Sequence, residues 1–76
     1  MQFPNERQLQ ALRERYPVGT RIRLLRMADD IAPVPPGMTG SVAIIDDAGN
    51  IHMKWDNGRS LALIEGVDAF EVINSV

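Results

Sequence analysis

The 76 residues contain no cysteine, which excludes both a disulfide framework and a thiolate-ligated metal centre. A single histidine, His52, excludes a histidine-rich metal site. It also leaves Ser41, Ser60 and Ser75 with only one imidazole to serve as a base for nucleophilic attack. An enzyme is therefore not expected, and no cofactor or metal is implied. No stretch reaches the roughly 20 apolar residues that span a bilayer. The start, Met1-Gln2-Phe3-Pro4-Asn5-Glu6, lacks the basic and apolar regions of a secretory leader. The chain reads as cytoplasmic, with no membrane partner. Its length fits one domain, which buries only about 60% of the surface its unfolded form exposes. Stability must come from packing, with self-association as the available supplement.

The charge that is present is unevenly spread. A net charge of −2 argues against nucleic-acid binding driven by phosphate neutralisation. Yet Arg7, Arg13, Arg15, Arg21, Arg23 and Arg26 all fall in the first 26 residues, whereas Asp46, Asp47, Asp56, Glu65, Asp68 and Glu71 crowd the second half. Arginine is the side chain that forks onto phosphate or carboxylate, so these residues either grip an anion or pair with the acidic half of the chain.

Local patterns predict a mainly β fold with one N-terminal helix. Asn5-Glu6-Arg7-Gln8 has the form of a capping box, and Leu9, Leu12 and Tyr16 follow on one helical stripe until Pro17 and Gly19 end it. Thr20 to Met27 alternates as a first strand, with Ile22 and Leu24 inward and Arg21 and Arg23 outward. Leu25 breaks the alternation, marking either a bulge or a residue packed under the helix. Ala28 to Gly37 carries Asp29, Asp30, Pro33, Pro35 and Pro36 and is expected as an ordered excursion that joins no ladder. A second strand covers Ser41 to Ile45. In residues 51–64 an alternating run, with Ile51, Met53 and Trp55 opposite His52 and Lys54, breaks at Asn57-Gly58 and resumes. This predicts a β-hairpin with a type I′ turn. Glu65 to Asp68 reads as a tight turn, and Phe70 with Val72 as a short last strand. The order suits a small five-stranded SH3-like barrel (19–76) capped by the helix (1–18), in which the final strand closes against the first.

Four pieces in order, Tyr16-Pro17-Val18-Gly19-Thr20, Pro35-Pro36-Gly37-Met38-Thr39-Gly40-Ser41-Val42, His52-Met53-Lys54-Trp55-Asp56-Asn57-Gly58 and Leu61-Ala62-Leu63-Ile64-Glu65-Gly66-Val67-Asp68, resemble the DUF4314 family of uncharacterised bacterial and phage proteins. The resemblance covers nearly everything after Tyr16. It implies a small β-barrel carried by phages and mobile elements, with no catalytic residues to transfer. Glu65 stands where that pattern has a proline. More loosely, Gly37-x-x-Gly40-x-Val42 looks like the glycine spacing of other SH3-like barrels.

Two functions follow as expectations, with sequence-tolerant nucleic-acid binding as a third that the net charge disfavours. The first is a non-catalytic binding module acting through a protein partner or a homo-oligomer, with a groove between the Ala28 to Gly37 loop and the Asp56 to Arg59 hairpin. The second is a sequestering protein for a small anionic ligand such as a nucleotide signal. Its site would be drawn from Arg21, Arg23, Arg26, Lys54 and Arg59, with Trp55 or Tyr16 stacking a base. Asp29-Asp30 and Asp46-Asp47 are carboxylate pairs suited either to acid–base or metal chemistry or to capping their own turns.

Overall fold

The computed structural model describes residues 4–28 and 32–73. Its elements are α1 (Glu6–Arg15), β1 (Arg21–Arg26), β2 (Thr39–Ile45), β3 (Asn50–Trp55), β4 (Leu63–Ile64) and β5 (Ala69–Val72). The capping box forms as expected: Gln8 N donates to Asn5 Oδ1 at 2.8 Å, and Asn5 N donates to Gln8 Oε1 at 2.9 Å. Helix α1 stops before Pro17, which disfavours helical backbone at Tyr16.

All five strands lie in one antiparallel sheet of order β4-β3-β2-β1-β5. The last strand therefore pairs with the first, as the SH3-like reading requires. Ile22, Leu24, Val42, Ile51, Met53, Trp55 and Leu63 are all buried on one side. Besides the strands, the buried hydrophobic residues among those described are Leu9 and Leu12 of α1 and Val34 of the proline-rich loop. A five-stranded sheet that buries one face with so little cover must curl around that face.

Between the edge strands, Asp68 acts as a staple. Its carboxylate accepts from Ile64 N at 2.9 Å and from Ala28 N at 2.8 Å, joining β4 to the chain that leaves β1. Asp68→Ala orphans both donors and should cost about 1–3 kcal/mol in urea unfolding. An unchanged midpoint would show that water replaces the carboxylate without loss.

The excursion after β1 is ordered where it is described. Val34 is fully buried, and Pro35-Pro36-Gly37-Met38 closes a turn in which Met38 N donates to Pro35 O and Gly37 takes φ +90°. Asp29 and Asp30 lie outside the described residues, as does Ser75. At Leu25 the β1–β5 register shifts, so the residue is a bulge and is exposed rather than packed under the helix. A second shift between Val42 and Ile44 turns Ile44 to the outer face.

The 51–64 hairpin forms with a different turn from the expected type I′. Gly58 N donates to Trp55 O and Trp55 N to Arg59 O, so Asp56 and Asn57 occupy the centre and Gly58 follows at φ +90°. This is the three-residue loop with a glycine bulge. Asp46 to Asn50 repeats the arrangement: Gly49 N donates to Asp46 O and Asp46 N to Asn50 O. The fourth strand is also shorter than the sequence pattern suggests. Leu61 O accepts the Trp55 indole N–H at 2.8 Å, and only Leu63 and Ile64 pair with β3.

Candidate functional site

The outer face of the sheet collects the strand residues singled out for anion binding. Ser41 pairs in register with Arg21 on one side and Lys54 on the other, forming a row across β1, β2 and β3. Arg23 stands in the next row, between Thr39 and Glu71. Alternation accounts for this placement, since the neighbours Ile22, Leu24, Met53 and Trp55 point into the core.

Most of these cations are already engaged within the chain. Arg21 grips Asp56 with both terminal nitrogens, at 2.6 and 3.0 Å, and also donates to Ser41 Oγ at 3.0 Å and Thr39 Oγ1 at 3.3 Å. Thr39 in turn donates to Asp56 Oδ2. The Arg21 bond, then the Thr39 bond, holds the Asp56 carboxyl down to about 2. Arg23 pairs with Glu71 at 2.8 Å. Arg59 donates to Pro33 O at 3.1 Å and to Ala32 O. It thus spans the gap between loop and hairpin, where a groove was expected. Only Lys54 and Arg26, of the five nominated cations, have side chains with no hydrogen bond or ion pair among the described residues.

Both aromatics are engaged within the chain. Trp55 is 1% exposed and packs in the core, and its N–H is used by Leu61 O. Tyr16 donates its hydroxyl to Glu65 at 2.9 Å and meets Phe70 edge-on, with ring centroids 5.6 Å apart. The Arg15 guanidinium sits 5.7 Å from the Tyr16 ring centre. Partial burial, then the Glu65 bond, raises the Tyr16 hydroxyl pKa.

Asp46 caps its own turn. Its carboxylate accepts from Ala48 N, from Asn50 N and Nδ2, and from His52 Nε2 at 2.8 Å. The His52 bond leads in lowering it to about 2. Two carboxyls with depressed values give the protein an acid-sensitive branch. Their stabilisation is complete above the ordinary carboxylate pKa near 4 and is lost as pH falls toward 2. Asp56→Asn should flatten the fall of the urea midpoint between pH 4 and pH 2. A slope equal to that of the parent would show that the Arg21 pair does not set it.

A third arrangement, which no local pattern announces, lies at the C-terminal end of α1. Arg15 pairs with Glu65 at 2.5 Å beside the Tyr16 bond, joining helix to turn across 50 positions of sequence. Arg13 similarly donates to Ile45 O at 2.9 Å and Asp47 Oδ1 at 3.1 Å. Between α1, the β2–β3 turn and β4 lies an open groove of about 500 Å³. Pro4, Ala11, Leu12 and Ile64 are among its apolar lining, and Arg15 and Glu65 among its charged lining. Glu65 was visible only as a departure from the family pattern. In the turn from Ile64 to Val67 it precedes Gly66, at φ +88°, the second position of a turn that accepts proline equally well.

A family model described as a domain of unknown function (DUF4314) matches residues 5–73, and the chain belongs to that family. No curated protein and no solved structure matches it.

Proposed function

We propose that this chain is a non-catalytic binding module, of phage or mobile-element origin, that works by contact with a protein partner or with another copy of itself. The origin rests on the family resemblance alone. One contrast favours macromolecular contact over capture of a small anion. Arg21 and Arg23 are neutralised by Asp56 and Glu71, and Arg59 is committed to loop carbonyls. Meanwhile large apolar side chains stay in water, with Val18 73% and Ile44 59% exposed. An anion seeking those guanidiniums must compete with carboxylates already in place, whereas exposed apolar surface gains by being covered.

Thermal shift against a panel of nucleotides and cyclic dinucleotides separates the two functions. The binding module predicts no shift with any of them. A tight ligand at 100 times its Kd adds about 2.7 kcal/mol and raises the midpoint by several degrees. Such a rise, abolished by Lys54→Glu, would replace the module with the anion-sequestering alternative.

A further inference from the structure

We infer that the groove between α1 and β4 is a contact between two copies of this chain related by a two-fold axis. This deepens the binding-module reading and rests on it. The turn after β4 presents Ile64, 46% exposed, and Val67, 49% exposed, on either side of Glu65-Gly66. Ile64 also lines the groove, beside Pro4, Ala11 and Leu12. The same short segment therefore supplies part of a concave apolar floor and, three residues on, an exposed apolar knob. Both features adjoin the groove's charged pair.

That pair specifies the occupant. Arg15 and Glu65 contribute one charge of each sign, already held at 2.5 Å. A two-fold axis perpendicular to the pair sets it antiparallel to its copy, so each guanidinium faces a second carboxylate and like charges stay apart. An isologous contact requires such self-complementarity, in which residue i meets j and j meets i. A partner surface of one sign would meet repulsion from half of the rim. In the two-copy arrangement Val67 of each molecule enters the groove of the other, covering apolar surface on both, and four alternating charges ring the contact.

Sedimentation of the full chain from about 10 µM to 1 mM tests this. A dimer should form over the series, and Val67→Asp should weaken it about tenfold or more by placing a charge in an apolar floor. Glu65→Arg should also weaken it by setting like charges across the axis. Arg15→Glu combined with Glu65→Arg restores the alternating order and should restore the dimer. Far-UV circular dichroism of each variant confirms folding, and all three substituted positions, Arg15, Glu65 and Val67, are solvent-facing. A chain that stays monomeric to 1 mM overturns the two-copy contact. So does a dimer indifferent to Val67→Asp. Either result leaves the module reading to its own nucleotide-panel test.

Discussion

Replacing Trp55 with alanine should remove a large share of the protein's stability and sharply lower its urea midpoint at 25 °C. The indole is the largest fully buried side chain, and it sits where β3 ends and the hairpin begins. Tryptophan-to-alanine changes in cores cost about 3–5 kcal/mol, combining lost transfer energy with the cavity left behind. The same change frees Leu61 O, which accepts the indole N–H at 2.8 Å. A chain of this size has only roughly 4–11 kcal/mol to lose. Trp55→Phe restores most of the ring volume but not the donor, so it should fold with a lowered urea midpoint. Circular dichroism through a urea series distinguishes the cases. A midpoint for Trp55→Ala within error of the parent would mean that the hairpin stands without its anchor.

Gly40→Ala should lower stability by about 1–3 kcal/mol, although this glycine has no left-handed backbone to protect. A Cβ there would lie 2.8 Å from Trp55 Cε3, 2.9 Å from Lys54 O and 2.9 Å from Trp55 Cα. The last two are backbone atoms of the paired strand, and no rotamer change moves them away. Either β2 and β3 spread where Gly40 opposes Trp55, or the indole leaves its place. Gly37 makes the opposite case: nothing lies within 4 Å of its Cβ position, but its φ is +90°. Its alanine variant should lose about 1–2 kcal/mol through backbone conformation alone. Amide exchange separates the two mechanisms. Gly40→Ala should loosen the β2–β3 ladder, while Gly37→Ala should leave it protected. Equal protection in both variants would refute the steric account of Gly40.

The reach of sequence reasoning follows from the range of the interactions concerned. The capping box at Asn5, the helix end at Pro17 and the inward set Ile22, Leu24, Ile51, Met53 and Trp55 depend on neighbours within a few residues. Each is as expected. The turn of the 51–64 hairpin differs at finer scale. Asn57-Gly58 fits a two-residue turn as well as the last two positions of a longer one. What separates them is the bond from Trp55 N to Arg59 O, set by how the strands leave the turn. The resumed apolar run likewise promised a longer β4 than the paired Leu63 and Ile64.

The candidate site was legible in its members and not in their state. Arg21 and Arg23 could be placed outside the barrel by alternation, but nothing within several residues of them announces Asp56 or Glu71. These partners lie 35 and 48 positions away. The arginine excess in the first half and the acidic excess in the second had that meaning: the two halves neutralise one another across the fold. Arg59 fastens the proline-rich loop through the carbonyls of Ala32 and Pro33, which lie 27 and 26 positions away.

By itself, then, the sequence determined a mainly β domain with a capped helix, a chain closing last strand on first, and a core on the inner side of each strand. Those features follow from turn chemistry and a two-residue period, both local. Tertiary structure alone decided that Trp55 is sealed inside, that Arg21 and Arg23 are spent on distant carboxylates, and that Arg15, Glu65 and Ile64 meet around a groove. Those outcomes depend on which side chains the curled sheet brings within about 3 Å of each other. That is a property of the closed fold, because the unfolded chain gives a guanidinium no reason to prefer one carboxylate over another.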